Sequence, residues 1–325
     1  MAAYEEGVGE RAALDPGTIL GGRFEIETHL GHGGASSVYA ARDRLVGEPV
    51  AVKVLRPSWR ENPQQLARLR AEVRAARRIA HPNVCRVHDL YEAGGLVFVV
   101  MERVAGESLR ERLAHGFTLA EALATARQLG AGLAAAHRAG VIHCDVKPEN
   151  AIIAGERAVL TDFGIARLVD IDRTRGEPGS ASAVGASAVE GTPSYMAPEQ
   201  VLSRQVDERT DVYGLAAVVF ELLAGTPPFG FPCAEQSVGK LFHRILNEAP
   251  RLPAGAPGDA PPAVQEALAG ALARALAKDP RERTESIEAL VADVMSSGHV
   301  DGHTLGGAGG ALRVPPLARA PAATG

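Results

Sequence analysis

Near Gly106 the hydrophobic pattern of this 325-residue chain changes period, and that change restricts the fold more than any other feature. Before it, short apolar runs bounded by turn residues recur at 24–30, 37–41 and 49–55, and again at 84–91 and 96–101 on either side of Gly94-Gly95. Runs of that length and punctuation predict successive β-strands. One helix interrupts them, predicted over 63–80, where Leu66, Leu69, Val73, Ala76 and Ile79 recur every three or four residues and arginines fill the other face. Asn62-Pro63 supplies its start signal and His81-Pro82-Asn83 its stop. After Gly106 helical patterns dominate, at 108–114, 119–139, 197–202, 211–223, 237–247, 262–277 and 286–295, with short strands expected at 141–142, 151–153 and 158–160. A mostly β half thus precedes a mostly α half, and at this length the chain is expected to form either two domains or one large two-lobed domain with a tail.

Hydrophobic residues make up 46% of the chain but aromatics only 4%, so the core is expected to be built mainly from Ala, Val and Leu. A formal charge of −5 spread along the whole length offers no basic stripe to follow a phosphate backbone, which argues against nucleic acid as a partner. The three cysteines, Cys85, Cys144 and Cys233, have neither pairing nor metal-ligand spacing and fit a reducing compartment, so a cytoplasmic location is expected. The acidic start has no apolar run after a basic segment, as a secretory signal requires. No stretch reaches the roughly 20 apolar residues that cross a bilayer; the nearest, 212–224, carries Glu221 and reads better as a buried helix.

The chemistry is concentrated in His143-Cys144-Asp145-Val146-Lys147-Pro148-Glu149-Asn150 and, shortly after, Asp162-Phe163-Gly164. A base, a cation and two hard oxygen ligands in one compact stretch suit phosphoryl transfer, which needs phosphate charge neutralised and an acceptor hydroxyl aligned with the bond that breaks. Upstream, Gly31-His32-Gly33-Gly34-Ala35-Ser36-Ser37-Val38 lies between two predicted strands, unlike dinucleotide turns and Walker loops, which run from strand to helix. Alone it is also consistent with an ordinary glycine hairpin. Ala51-Val52-Lys53 places a lysine in an otherwise apolar strand, where its ammonium either meets a partner or snorkels at the sheet edge. Glu72 is an acidic residue among Arg68, Arg70, Arg74, Arg77 and Arg78, so it either compensates those arginines or serves the lysine.

In order and spacing these stretches, with Ala197-Pro198-Glu199, resemble the protein kinase family, and the resemblance covers about residues 18 to 295. Its implied fold is α+β in two lobes, a small, mainly antiparallel β lobe with one helix and a larger, mainly α lobe, laid out as an N-terminal tail at 1–17, a kinase domain at 18–295 with an N-lobe to about 103 and a C-lobe from about 104, and a Gly/Ala/Pro-rich tail at 296–325 expected to be disordered. The implied cofactors are ATP and Mg²⁺, with Mn²⁺ as the alternative ion. The family pattern makes Asp145 the base that orients the acceptor hydroxyl, Lys147 the cation at the transferring phosphoryl group, and Asn150 and Asp162 the metal ligands. It makes Lys53 the phosphate-binding lysine paired with Glu72. ATP contacts carry over to Leu30, Gly31, His32, Gly33, Gly34, Ala35, Ser36, Ser37, Val38, Ala51, Met101, Glu102, Val104 and Ile152, with Met101 at the back of the adenine pocket and the backbone of Glu102 and Val104 on the purine edge.

Lys147 two residues after the base, and Gly191-Thr192-Pro193-Ser194-Tyr195-Met196-Ala197-Pro198-Glu199, resemble the serine/threonine branch and its bacterial members. Thr192 is implied to bond near Asp145 and Lys147. Asp211 matches a residue that caps backbone amides of the catalytic loop, Arg283 one that pairs with Glu199, and His143, Phe163, Val87 and Ala76 an apolar stack, underfilled here by the small Ala76. Ser36 stands where the third glycine of the turn is usual, and Cys144 where most members carry an arginine that binds a phosphorylated activation segment. Those departures motivate a pseudokinase scaffold as the second reading; a small-molecule phosphotransferase is third, disfavoured by the 191–199 segment. A Gly/Ser/Ala-rich stretch at 176–191 reads as mobile, with Ser180, Ser182, Ser187 and Thr192 as candidate autophosphorylation sites. With no span or sensor following the domain, regulatory input is expected from a partner protein.

Overall fold

The computed structural model describes residues 14–33, 36–56, 62–163, 193–233, 237–258 and 260–298. The chain divides into two compact units: one takes residues up to His81 and from Cys85 to Ala105, the other Pro82–Val84, Gly106–Phe163 and the described chain from 193 onward.

The first unit is an antiparallel sheet of six strands, β1 (Ile19–Leu20), β2 (Phe24–Gly33), β3 (Ser36–Asp43), β4 (Pro49–Leu55), β5 (Val87–Ala93) and β6 (Leu96–Glu102), ordered β1-β2-β3-β4-β6-β5. Period-2 alternation gives it one apolar core face, where Phe24, Ile26, Tyr39, Ala41, Val50, Val52, Phe98 and Val100 are all buried. Aromatic rings pack within this core: Phe24 meets Tyr91 edge-on at 5.0 Å, and Tyr91 stacks on Phe98 at 5.4 Å. The helix α1 (Pro63–Ala76) starts where expected, with Asn62 accepting from the amides of Gln64 and Gln65. It ends four residues before the expected Ala80. The amides of Arg78 and Ile79 bond back only three residues, tightening the chain into a turn that still buries Ile79.

The second unit opens with β7 (Glu107–Ser108) and α2 (Leu109–Leu113), followed by α3 (Leu119–Arg138). Capping boxes start both helices, Ser108 with Glu111 and Thr118 with Glu121. Strands β8 (Ala151–Ala154) and β9 (Arg157–Leu160) complete a three-stranded sheet with β7. Then come α4 (Pro198–Val201), α5 (Glu208–Ala224), α6 (Val238–Asn247), α7 (Pro262–Ala275) and α8 (Ile287–Ser297). Every residue of α5 from Thr210 to Leu223 is buried, as a helix apolar nearly all round demands. Leu, Ala and Val dominate the buried faces of α3 and α5.

Two expected strands change. Residues 141–142 form no strand, because the Val141 amide is taken by Ala136 at the end of α3 and the following backbone is held by a side chain, described below. The strand expected from Val84 begins only at Val87; Val84 makes an isolated parallel bridge with Leu160, and the Leu160 amide donates to the Asn83 carbonyl. The segment 176–191 and all of the C-terminal tail beyond Gly298 lie outside the described residues.

Candidate active site

In the first unit, strand register sorts the implied nucleotide residues onto one face. Val38 lies opposite Lys53, which lies opposite Val99, and Ala40 opposite Ala51, which lies opposite Met101. Side chains of residues two apart share a face, so Val38, Ala51, Lys53 and Met101 stand together on the face away from the aromatic core. Lys53 is 7% exposed and Met101 5%. Glu72 sits on α1 one residue before the buried Val73. Gly31 pairs with Val38 and Gly33 with Ser36, so the glycine turn is a hairpin end as expected. A Cβ at Gly31 would meet no protein atom within 4 Å, so internal packing does not require glycine there, whereas close approach of a ligand to the backbone would. Leu30 is exposed. At Glu102 the amide donates to the Arg86 carbonyl at 2.8 Å, which removes the N–H from the purine-edge role; its carbonyl accepts a weak bond from the Cys85 thiol at 3.4 Å and has a second lone pair. Gly34, Ala35 and the side chain of His32 lie outside the described residues.

In the second unit, the Asp145 carboxylate gathers its neighbours. Its Oδ2 lies 2.7 Å from the Lys147 ammonium and accepts from the Asn150 amide at 2.7 Å, and the same amide nitrogen donates to the Asp145 carbonyl at 2.9 Å. Both amide hydrogens of Asn150 therefore turn toward Asp145, and its oxygen turns the other way. His143 is fully buried; its Nδ1 accepts from the Asp145 amide at 3.2 Å while its Nε2 donates to the Thr161 carbonyl at 2.9 Å, which selects the Nε2–H tautomer. Its ring meets that of Phe163 at 4.5 Å. Cys144 and Asp162 both adopt φ near +60°, at 63° and 62°, a conformation L-residues hold only when surroundings compel it.

Those surroundings are charged and buried. Asp211, 0% exposed on α5, accepts from the amides of His143 and Cys144, each at 2.8 Å, and from His137 Nε2 at 2.7 Å. The Gln200 amide ties the same bend to the segment that follows: its nitrogen donates to the Cys144 carbonyl at 2.7 Å and its oxygen accepts from the Ala197 amide at 2.9 Å. A Cβ on Gly214 would come within 2.9 Å of Val146 Cβ, so glycine lets α5 approach the loop this closely. Arg283 grips Glu199 with two parallel bonds of 2.7 and 2.6 Å, and Thr210 donates to the same carboxylate at 2.7 Å. Burial alone would raise the Glu199 pKa, but the bonds and charge of Arg283 and the Thr210 hydroxyl hold it below its ordinary value. Burial, with the Arg283 guanidinium nearby, pushes Lys278 down to about 8.

Comparison with known proteins settles the lineage. Residues 24–295 match the model of the protein kinase domain. The chain belongs to the protein kinase family. Serine/threonine-protein kinase pkn2 of Myxococcus xanthus is 40% identical over 220 residues, 66% of this chain and 26% of that protein. The probable serine/threonine-protein kinase PknB of Corynebacterium glutamicum is 34% identical over 283 residues, 85% of this chain and 42% of that protein. PknD of Mycobacterium tuberculosis is 37% identical over 265 residues, covering 81% and 38%. The chain thus spans between a quarter and under half the length of these relatives. The crystal structure of the Mycobacterium tuberculosis PknI kinase domain superposes with a TM-score of 0.67 at 27% identity, over 88% of this chain and 100% of that one.

Kinase membership implies ATP and a divalent cation, and the second unit's donors fit one. The Asn150 amide oxygen faces away from Asp145, and Asp162 adds a carboxylate; both are hard oxygens. Among the described residues no group of three His, Cys, Asp or Glu side chains could hold a metal alone, and phosphate and water oxygens would supply its other ligands. Of the other predicted residues, Ile152 is on β8, half-buried, and Val104 follows β6. Thr192 lies outside the described residues, and so do Ser180, Ser182 and Ser187. Reading from sequence missed Gln200, His137 and Arg110, whose partners are distant in the chain. Glu221 did leave a signal, being a charge in an apolar helix, and a buried carboxylate demands a cation.

Proposed function

We propose that this chain transfers the γ-phosphoryl group of ATP to serine or threonine hydroxyls of proteins, including its own. The observation that carries this reading is the convergence of Lys147 and Asn150 on Asp145, each 2.7 Å from one carboxylate oxygen. Asp145, a third exposed, orients the acceptor hydroxyl and takes its proton; Lys147 offsets charge on the phosphoryl group in flight. Asn150 and Asp162 would hold Mg²⁺, or Mn²⁺, which when bound neutralises phosphate charge. Lys53, paired functionally with Glu72, is assigned to the phosphates with the hairpin 30–38; of the first unit, Val38, Ala51 and Met101 are assigned to the adenine ring and the Glu102 carbonyl and Val104 backbone to its edge, and of the second unit Ile152 is assigned to the same base. Thr192 is assigned to support Asp145 and Lys147. The kinase domain is assigned to 18–295, with lobes meeting near 103–104 and tails on either side. None of the three cysteines forms a disulfide, and no described helix is long and apolar enough to cross a membrane; the former supports a reducing, ATP-supplied compartment such as the cytoplasm.

Incubation of the purified chain with labelled ATP and Mg²⁺, alone and with a generic protein substrate, tests the proposal. Label on Ser or Thr should fall by about 10²–10⁴-fold in Asp145→Asn. ATP binding with no transfer by the wild type would instead leave a pseudokinase scaffold. Cys144 cannot grip a phosphate as an arginine does, so this non-RD site should work without activation-segment phosphorylation. Replacing Ser180, Ser182 and Ser187 with alanine should preserve turnover; its loss would overturn that point. Regulatory input from a partner protein belongs to the same proposal.

A further inference from the structure

One guanidinium joins four separate elements of the second unit. Arg110, on α2, donates from Nε to Glu149 Oε1 at 2.9 Å, and Glu149 sits between Lys147 and Asn150 in the catalytic loop. Its NH1 donates to Glu221 Oε1 at 2.6 Å, and Glu221 is the fully buried carboxylate of α5. Its NH2 donates to the hydroxyl of Tyr195, in the helical turn Pro193–Tyr195 that leads into Ala197-Pro198-Glu199. The Tyr195 hydroxyl in turn donates to Glu221 Oε2, so both oxygens of the buried carboxylate are bonded. Phe231 covers the guanidinium from one side, its ring centre 5.2 Å away.

A surface ion pair needs none of this. Glu221 is 0% exposed and Tyr195 4%, so the chain has taken a carboxylate and a phenol out of water to build the junction. Planar fork geometry lets arginine serve three partners at fixed angles, which lysine cannot do. The two arms that leave the buried Glu221 end on the loop carrying Asp145, Lys147 and Asn150, and on the segment just before Ala197, whose amide Gln200 ties back to Cys144.

We propose that Arg110 is a positioning residue: it fixes the catalytic loop, through Glu149, and the protein-substrate segment, through Tyr195, against one buried carboxylate of α5. The inference rests on the kinase reading above. Its loss lets the loop and the segment shift relative to each other, which lowers the rate of transfer to protein while leaving nucleotide affinity alone.

The test uses the full chain. Arg110→Met/Glu221→Leu replaces the buried pair by apolar groups of similar volume, a change that such pairs usually tolerate in stability. This double variant should keep a wild-type Tm and an ATP Kd within about twofold by direct titration. Its kcat on protein should fall roughly ten- to hundredfold, the scale set by misplacement of reacting groups by about 1 Å. Arg110→Lys should recover part of the loss. A double variant with wild-type Tm and wild-type kcat overturns the proposal. If the double variant does not fold, Glu149→Ala removes the loop arm's acceptor and leaves the Arg110–Glu221 pair in place, so no buried charge is stranded. It should lower kcat and speed amide exchange at 145–150 but not at 193–197; no change in either overturns the proposal. Wild-type chain that transfers no phosphate would sink the kinase reading, while amide exchange in the same variants would still decide whether Arg110 clamps these segments.

Discussion

Lys53 and Asp145 are held in place by different physics, the first in the smaller unit and the second in the larger. Lys53 is positioned by strand register: its pairing with Val38 and Val99 decides which face it points to, and the aromatic core on the opposite face holds the register. The charges of that unit are mostly on its rim, as in Arg70 with Glu92 and Arg77 with Asp89, where all four side chains are over 40% exposed. Asp145 is positioned by buried charge: Asp211 holds the amides before it, and Glu199 with Arg283 locks the segment that Gln200 joins to the same bend. A sheet tolerates loss of a rim charge because water replaces the partner. Stripping one partner from an interior pair leaves an ion with no water to turn to.

The largest expected effect that sharpens this contrast is Arg283→Met, which strands Glu199 and should destabilise the second unit by about 3–5 kcal/mol in denaturant melts. An effect under ~1 kcal/mol would break the comparison. Next comes pH. Glu199 has its pKa lowered on folding, so its pairing stabilises the fold fully above the ordinary glutamate range and loses that contribution as pH falls through the lowered value. The Tm gap between wild type and Glu199→Gln should therefore be widest near neutral pH and narrow as pH drops below about 4. A gap that stays constant to acid would show that the carboxylate charge is not what matters. The smallest effect belongs to the rim: Arg77→Ala should shift stability by no more than ~0.5 kcal/mol. A loss as large as that of Arg283→Met would erase the distinction between the units.

Much of the site was legible because its residues are close in sequence or carry a local pattern. The stretch from His143 to Asn150 lies on one loop, and Asp145, Lys147 and Asn150 meet there as expected. The α1 start at Asn62-Pro63 follows from a cap that acts within three residues. Its end was misread because Ile79 keeps the helical spacing of a buried residue while the backbone has already tightened into a turn. The strand expected at 141–142 failed for the complementary reason: Val141 and Ile142 have strand-like side chains, but Ala136 and Asp211 use the backbone groups that a sheet would need.

By itself the sequence determined the change from β to α near Gly106, the glycine hairpin, and the close spacing of Asp145, Lys147 and Asn150 on one loop. These depend on hydrophobic period, turn residues and functional groups, all local properties of the chain. Only the tertiary structure decided what holds them: that Asp211 clasps the backbone of His143 and Cys144 from 68 and 67 residues away, and that Arg110 reaches Glu221 across 111 residues. Buried charges must find partners wherever packing brings them, and sequence distance carries no record of that choice.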